Sequence, residues 1–273
     1  MITVLRAPPF ATVQDLGRFG YRGSGVPPAG AMDPAALARA NALAGNPAEL
    51  AAIEWGIGAG RLRLAPGLDI GMGGADPVAR REGDSLTIEA IRGGAWLYIA
   101  VRGGIDVPEV LGSRSTYLPG GFGGVEGRVL RSGDVLKAGE GGRGRERAGA
   151  GGSGREQAGA GGPIGIVPGP DRAMLDDDAW AQFLAAEWTV SRAVSRAGYR
   201  LEGPVLPVES PDDLPSAPVC PGTVQLPPGG QPIVLMPDGP TVGGYPRIAV
   251  VVSWELGRLA QRRPGEPVRF RLG

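Results

Sequence analysis

Glycine and proline punctuate this chain so often that long helices have little room to form. There are 49 glycines and 27 prolines among the 273 residues, and they separate short runs of Val, Ile and Leu. Ala95–Val101 (AWLYIAV), for example, lies between the turn-forming pairs Gly93-Gly94 and Gly103-Gly104. Apolar residues still make up 42% of the chain, which opposes the disorder that so much glycine and proline otherwise signals. The pattern predicts a mainly β protein with a few short helices.

Short helices are predicted where a capping residue precedes an apolar periodic segment. Asp33 comes directly before Pro34, which is typical of an N-cap followed by proline in the first turn, and Ala35–Ala44 has apolar residues at helical spacing. A second short helix is predicted from Asn46-Pro47 toward Ala52. Two later helices are predicted over Asp176–Ala186 and Trp254–Gln261.

One segment differs from the rest of the chain in composition. Residues 139–162 contain RGRERAGAGG followed by its near-duplicate SGREQAGAGG, and no bulky apolar side chain. Because such a segment has nothing to bury, it predicts a flexible linker. The alternative is an RGG-like nucleic-acid segment, which the interspersed glutamates and the lack of aromatic residues disfavour. The linker divides the chain into an N-terminal domain over 1–138 and a C-terminal domain over 163–273.

The titratable residues exclude several classes of chemistry. There is no histidine, so Ser-His-Asp and Cys-His catalysis and imidazole-bound zinc or copper are ruled out, and no metal site is predicted. Proton transfer falls to carboxylates, Tyr, water or Lys137, the only lysine. Acidic and basic residues balance at 28 each, so no nucleic-acid partner is predicted. The lone Cys220, the absence of a leader pattern and the absence of a long apolar run predict a cytoplasmic chain without membrane contact.

Three polar groups in the N-terminal half are candidates for a binding or catalytic site. Segment 12–21 carries amide, acidic, basic and phenolic side chains that could converge on a carboxylate or amide, or form only a locally paired turn. Asp33 ends a tight loop at a helix N-terminus, where it is either part of an anion site or only a cap. Glu54, between Ile53 and Trp55, is either an acid or base in an apolar setting or a salt-bridged surface residue.

Two further groups lie later in the chain. Arg114 and Ser115 follow a glycine pair and could donate hydrogen bonds to an acyl oxygen or anion, although a purely structural loop is equally consistent with them. Gln225 and the segment Thr241–Arg247 (TVGGYPR) combine glycines with Tyr and Arg, which suits close approach of the backbone to a ligand. Neither group has the G-x-x-x-x-G-K-[ST] pattern, so ATP binding by this chain alone is weakly supported.

Five ordered motifs together resemble the family of the C subunit of bacterial 5-oxoprolinase. They are VQDLGRFGY; GVPPAGAMD; ANALAGNP with IEWG; VRGGIDVPEVLGSRST; and VQLPPGGQPIVLM with TVGGYPRIAVV. The family is also described as KipA-like, allophanate hydrolase subunit 2-like or biotin-dependent carboxyltransferase-like. It is similar to part of the carboxyltransferase region of urea carboxylase. The resemblance covers nearly the full length outside the linker.

The resemblance implies a fold, an activity and a set of site residues. It implies two cyclophilin-like β-barrel domains, and a role for the chain in a complex with an A subunit and a KipI-like B subunit. The implied reaction is the ATP-dependent opening of a small lactam, 5-oxo-L-proline, to L-glutamate, with ATP used by the complex. By position it implies Asp33 and Glu54 as candidate proton-transfer residues. It implies as substrate-binding residues Gln14, Asp15, Arg18, Tyr21, Asn41, Asn46, Arg114, Ser115, Gln225, Thr241, Tyr245 and Arg247.

Two other functions stay open at this point. One is a carboxyltransferase subunit that acts with carboxybiotin on urea or a related amide; since the chain has no Met-Lys-Met acceptor, biotin would be on a partner. The other is a non-catalytic KipA-like module that binds and antagonises a KipI-like kinase inhibitor. The chain also departs from the family at Ser195–Gly198, where an aspartate is missing, so no site is predicted there. The turn Asp238–Thr241 lacks the charged and amide residues common in the family.

Overall fold

The computed structural model describes residues 1–139, 161–208 and 214–273. These residues form two compact units, the first containing residues 1–18 and 29–139 and the second residues 19–28 together with those from 161 onward. Segment 19–28 therefore groups with the second unit, although the predicted boundaries assign it to the N-terminal domain. The predicted linker over 139–162 lies almost entirely outside the described residues, so the domain boundaries stay a prediction.

The first unit is built on one extended β-sheet. Its strands are β1 (Ile2–Arg6), β2 (Thr12–Gln14), β3 (Ala52–Trp55), β4 (Gly60–Leu64), β5 (Ile70–Glu82), β6 (Ser85–Val101), β7 (Ile105–Asp106) and β8 (Val135–Ala138). The strand order is β2-β3-β6-β4-β1-β8-β7, and β5 forms a long antiparallel hairpin with β6. The apolar run AWLYIAV predicted as a strand is the buried end of β6. The sheet encloses a core that includes the fully buried side chains of Trp55, Leu62 and Ile99.

A single α-helix, α1 (Pro34–Leu43), packs against this sheet in the described part of the first unit. It approaches β5 so closely that a Cβ at Gly71 would lie 2.1 Å from the carbonyl oxygen of Ala40, and a Cβ at Gly73 would lie 2.5 Å from that of Ala36. Since real side chains do not fit at such distances, the two glycines are what allow the helix to lie on the sheet. The position of α1 matters because its N-terminal cap is a candidate site residue.

The second unit is a sheet that almost closes on itself. Its main strands are β9 (Ile164–Pro168), β10 (Trp188–Val194), β11 (Gly198–Glu202), β13 (Thr223–Gln225), β14 (Ile233–Leu235), β16 (Arg247–Val251), β17 (Pro267–Val268) and β18 (Phe270–Leu272), with a small separate ribbon of β12 (Ala217–Pro218) and β15 (Val242–Gly243). Strand order is β17-β10-β11-β14-β13-β16-β9-β18. Because only Arg269 separates β17 from β18, the last segment of the chain joins both ends of the sheet, as closure of a barrel requires.

Helices in the second unit are short and cover the barrel. They are α2 (Asp177–Ala185), α3 (Leu256–Ala260) and 3-10 turns at Arg22–Ser24, Arg172–Met174 and Ser253–Glu255. The ring of Phe183 in α2 lies 5.0 Å from the ring of Phe270 and 5.9 Å from that of Trp188, so an aromatic cluster ties α2 to the sheet. None of the helices in the described ranges is long and apolar enough to cross a membrane.

The prediction of a mainly β chain with a few short helices and two barrel-like domains is confirmed. The predicted helix from Asn46-Pro47 toward Ala52 is wrong, since turns occupy this stretch and β3 begins at Ala52. The reason is that the Asn46 side chain donates a hydrogen bond to the carbonyl of Val101 at 2.8 Å and accepts one from the amide of Gly103 at 2.9 Å. These bonds hold Asn46 against the end of β6 and replace the hydrogen bonds a helix would offer.

Candidate functional site

A buried chain of hydrogen bonds joins the two predicted proton-transfer residues. Asp33 caps α1, and its Oδ1 accepts the amide of Ala36 at 3.0 Å. Glu54 lies on β3, where its Oε2 accepts the amide of Met32 at 2.8 Å and the phenol of Tyr98 at 2.7 Å. The same phenol oxygen accepts the amide of Asp33 at 2.8 Å. The structure therefore brings Asp33 and Glu54 together through Tyr98.

Tyr98 is the residue of this group that the sequence analysis did not single out. It lies on β6 directly opposite Glu54 on β3, so the sheet register places the two side chains as a cross-strand pair. Burial raises the pKa of Tyr98 well above its ordinary value, and the nearby carboxylates of Glu54 and Asp33 raise it further. The phenol is consequently protonated and donates to Glu54 throughout the neutral range. A phenol inside the otherwise apolar run AWLYIAV was the available signal, because a buried tyrosine hydroxyl needs a partner.

Asp15 organises a second group, at the end of β2. Its Oδ1 accepts hydrogen bonds from the amide of Gly17 at 2.8 Å and from the hydroxyls of Ser113 at 2.7 Å and Ser115 at 2.5 Å. Its Oδ2 accepts the amide of Arg114 at 2.6 Å. The carboxylate thus holds segment 113–115 in place, and its acceptor capacity is largely used inside the protein.

Gln14 and Arg18 lie beneath this segment. The Gln14 side chain is fully buried; its Nε2 donates to the Thr12 hydroxyl at 3.0 Å and to the carbonyl of Thr116 at 3.1 Å. Its Oε1 is buried and has no hydrogen-bond partner among the described residues. Arg18, which is 1% exposed, donates to the carbonyl of Ser115 and lies 4.9 Å from the centre of the Phe122 ring. Both side chains stabilise the loop from inside, and the Gln14 oxygen is left as an unused acceptor.

Asn41 and Asn46 form a third group, at the C-terminal end of α1. Asn46 donates to Asn41 Oδ1 at 3.0 Å, and Asn41 donates to the carbonyls of Ala48 at 3.1 Å and Leu50 at 2.7 Å. Asn41 is fully buried. The two amides therefore fix the connection from α1 to β3, and their side-chain groups are largely occupied by that task.

Arg114 stands apart from the other predicted residues of the first unit. Its side chain is 34% exposed and forms an ion pair with Glu109. It lines an open cleft of about 930 Å³. The geometry suits a role in recognition at the surface rather than in the buried groups.

The remaining predicted residues belong to the second unit. Arg247 forms a bidentate ion pair with Asp171, with Nε 2.7 Å and Nη2 3.2 Å from its carboxylate oxygens, which lowers the pKa of Asp171 below its usual value. Gln225 donates to the carbonyl of Tyr245 at 3.5 Å. A Cβ at Gly243 would lie 2.5 Å from the Gln225 side-chain nitrogen, so Gly243 packs directly on Gln225. The side chains of Tyr21, Thr241 and Tyr245 are partly or largely exposed.

The second unit contains a buried ion pair that the sequence did not predict. Arg196 and Asp238, 4% and 2% exposed, are joined by two parallel hydrogen bonds of 3.0 Å and 2.9 Å. Asp238 also donates its amide to the carbonyl of Arg196 at 2.9 Å. Both residues belong to segments that depart from the family pattern, and the structure joins those two segments. The Arg196–Asp238 pair thereby holds the turn that leads into Thr241.

The predicted residues thus form separate groups, and their part in binding or catalysis stays a prediction. In the first unit the groups centre on Glu54, Asp15 and Asn41; in the second, Arg247 is engaged by Asp171. Within the described ranges, no three or more Cys, Asp or Glu side chains are arranged to hold a metal ion.

The chain is similar to proteins of known family along nearly its whole length. The family model for the carboxyltransferase domain, subdomains A and B, matches residues 24–272. The C subunit of 5-oxoprolinase from Escherichia coli strain K12 is 39% identical over 284 residues, which cover 99% of this chain and 90% of that protein. The C subunit of 5-oxoprolinase from Haemophilus influenzae is 35% identical, with the same shares covered.

Solved structures match the fold over the same extent. The crystal structure of the Kluyveromyces lactis urea amidolyase superimposes with a TM-score of 0.87 at 29% identity. The match covers 99% of this chain and 18% of the amidolyase. The Kluyveromyces lactis urea carboxylase gives a TM-score of 0.86 at 28% identity, with 27% of that chain covered. The present chain therefore spans less than a third of either enzyme.

Proposed function

We propose that this chain, which belongs to the carboxyltransferase domain family, subdomains A and B, is the C subunit of an ATP-dependent 5-oxoprolinase. The observation that carries the proposal is the 39% identity to the Escherichia coli C subunit over 99% of the chain. The complex would open 5-oxo-L-proline to L-glutamate with its A and B subunits, using ATP, and the chain alone would be inactive. Both bacterial relatives are named as one subunit of an enzyme, which supports the expectation of partner subunits.

The chain would contribute carboxylates to proton transfer. Opening a lactam with water requires one group that takes a proton from water and one that returns a proton to the ring nitrogen. With no histidine in the chain, the candidates in this chain for such a group are the carboxylates of Asp33 and Glu54. We assign proton transfer to Asp33, because it ends a loop at a helix N-terminus, where amides and the helix dipole favour an anionic substrate. Glu54, fully buried and accepting two hydrogen bonds on Oε2, would position the loop that carries Asp33.

Reconstitution with the A and B subunits tests the assignment. The complete complex is expected to release glutamate from 5-oxo-L-proline only when ATP is present, and omitting this chain is expected to abolish the release. Asp33→Asn is expected to lower kcat by about 100-fold or more while leaving assembly intact, because asparagine caps a helix as well as aspartate does. Glutamate release that is unaffected by omitting the chain would refute the proposed function.

Asp176 offers a matched control for that variant. It caps α2 as Asp33 caps α1, with Oδ1 accepting the amide of Ala179 at 2.7 Å. Asp176→Asn makes the same chemical change at a helix cap that has no proposed catalytic part, so it is expected to leave turnover unchanged. Equal loss of activity in both variants would assign Asp33 a capping role only.

A second candidate is a carboxyltransferase subunit that acts with carboxybiotin on urea or a related amide. The structural similarity to urea amidolyase and urea carboxylase supports this alternative. Biotin would be attached to a partner, since the chain has no Met-Lys-Met acceptor. Avidin would then inhibit the reconstituted activity, whereas the oxoprolinase proposed above is expected to be insensitive to avidin.

A further inference from the structure

An open cleft in the first unit is lined by Arg114 and by none of the other predicted site residues. It is bounded by residues 106–110, by Arg114, by the glycine-rich loop 121–127 and by residues 135–137 of β8, and has a volume of about 930 Å³. We call it the Lys137 cleft, because the only lysine of the chain lies on its wall. A cleft of this size is within the range that takes a small molecule.

Two cations among the residues that line the cleft have hydrogen-bond donors without an acceptor in the described ranges. Lys137 is exposed and forms no ion pair with any residue of the described ranges. Arg114 uses Nη1 for Glu109, while its Nε and Nη2 donate to no acceptor in the part of the chain that the structure describes. An ammonium and a guanidinium with free donors at one cleft favour an anionic group, above all a carboxylate, whose two oxygens are strong acceptors.

Three carboxylates also line the cleft, and their charges are partly compensated. Glu109 is paired with Arg114, and Glu126 accepts a hydrogen bond of 3.1 Å from Arg128. Asp106 lies opposite Lys137 in the pairing of β7 with β8, yet their charged groups are not within ion-pair distance. The lining therefore suits a ligand with one localised negative charge better than a polyanion such as a nucleotide, which the three carboxylates would repel.

The glycine-rich loop adds backbone donors. Gly123, Gly124, Glu126 and Gly127 have φ angles of 74°, 54°, 52° and 66°, so the chain turns repeatedly through the left-handed region. Successive amides in such a segment form concavities that bind anions. The amides of Gly123 and Glu126 donate to no acceptor within the described residues. Glu126 is also one of only three non-glycine residues with positive φ in the described ranges, which marks the loop as strained.

An apolar wall completes the cleft. Phe122 and the valines Val107, Val110, Val125 and Val135 line it, and Val135 is 56% exposed. The Phe122 ring is held from below by the buried guanidinium of Arg18 at 4.9 Å. A ring or short aliphatic body next to the anionic group would cover these side chains and remove them from water.

We propose that the Lys137 cleft is a binding site for a small monocarboxylate with a compact apolar body, held by Lys137, Arg114 and the amides of the 121–127 loop. Neither Asp33 nor Glu54 lines the cleft, and all the residues named as holding the ligand belong to this chain. A carboxylated lactam such as 5-oxo-L-proline belongs to this ligand class, and the choice of that compound as the probe rests on the proposed function. Binding by the isolated chain and turnover by the complex can therefore fail independently of each other.

The single lysine makes the test direct. Acylation of the isolated chain with an amine-reactive ester is followed by mass spectrometry at Lys137, and the α-amino group of Met1 serves as the internal reference. At about ten times its Kd, 5-oxo-L-proline is expected to slow acylation of Lys137 about tenfold and to leave Met1 unaffected. The neutral lactam 2-pyrrolidone, which lacks only the carboxylate, is expected to give no protection.

Calorimetric titration of variants supplies a readout that does not depend on the label. Lys137→Gln and Arg114→Gln are each expected to weaken binding of 5-oxo-L-proline about tenfold, while Arg63→Gln is expected to leave it unchanged. Arg63 is a suitable control because it is an exposed arginine of the same unit, paired only loosely with Asp84 at 3.8 Å. Equal protection by 2-pyrrolidone, tighter binding of inorganic phosphate, or no protection by any carboxylate would each overturn the proposal.

Discussion

The phenol of Tyr98 donates a 2.7 Å hydrogen bond to Glu54 while its oxygen accepts the amide of Asp33, so one hydroxyl connects both predicted proton-transfer residues. The two strands that carry Glu54 and Tyr98 are neighbours only in the folded sheet. The arrangement makes the loop before α1 depend on a residue 65 positions away in the chain.

Tyr98→Phe is expected to destabilise the protein by about 1–3 kcal/mol, because it removes a partner from a buried carboxylate and from a buried amide. Urea unfolding measures the change. The pKa of Tyr98 is higher in the folded state than in the unfolded state, where it is near 10. The stability that the phenol contributes is therefore complete below about pH 10 and is lost as the pH rises toward the pKa of the folded state. The difference between wild type and variant is thus expected to shrink above about pH 10, and a pH-independent difference would contradict the assignment.

Asp15→Asn is expected to cost about 2–4 kcal/mol of unfolding free energy. The carboxylate accepts from two amides and two serine hydroxyls, and an asparagine cannot accept at both of its terminal atoms. The control is Asp69→Asn, since Asp69 makes only an exposed 3.4 Å ion pair with Arg102, worth about 1 kcal/mol or less. Similar losses in the two variants would mean that Asp15 does not organise segment 113–115.

Two buried arginines of the second unit, Arg196 and Arg262, are expected to respond to the same substitution with very different losses of stability. Arg196→Leu leaves Asp238 buried without its partner and is expected to cost about 3–5 kcal/mol. Arg262, 7% exposed, has no carboxylate within ion-pair distance in the described ranges and its Nε lacks a partner; burial lowers its pKa. Arg262→Leu is therefore expected to change stability by about 1 kcal/mol or less, in either direction. Thermal unfolding of both variants decides this, and a large loss for Arg262→Leu would reveal an anionic partner.

The Asp171–Arg247 pair is expected to make stability depend on acidic pH. Hydrogen bonds from Arg247 hold the pKa of Asp171 below its usual value. Because the pKa of Asp171 is lower in the folded state than in the unfolded state, where it is near 4, the ionised carboxylate stabilises the fold above about pH 4. This stability is lost as the pH falls through the pKa of the folded state. Asp171→Asn should accordingly be less stable than wild type at pH 7, and the gap should narrow below about pH 4.

Urea unfolding of wild type and Asp171→Asn across that range measures the gap. The Asp134–Arg128 pair lowers the pKa of Asp134 in the same way, so wild type and variant both retain its pH dependence. Only the difference between the two proteins reports on Asp171. A difference that stays constant down to about pH 3 would contradict the assigned cause.

The sequence correctly predicted those elements whose formation depends on residues close together in the chain. The Asp33-Pro34 cap and the alanine-rich helix were predictable because capping and helical periodicity act within a few positions, and α1 begins and ends close to the predicted bounds. The prediction failed at Asn46, where hydrogen bonds to Val101 and Gly103 outweigh the local helix signal. No pattern near residue 46 contains the information that β6 ends beside it.

By itself, the sequence determined the mainly β class, the family and the exclusion of imidazole chemistry, because composition, spacing and motif order are properties of the chain alone. Only the tertiary structure decided which polar residues meet. The register of the sheet places Tyr98 opposite Glu54, and the fold places Lys137 and Arg114 at one cleft. The packing of segment 113–115 occupies the acceptor oxygens of Asp15 with internal hydrogen bonds. These relationships join residues far apart in the chain, and their geometry follows from burial and hydrogen-bond satisfaction across the fold, which no local window contains.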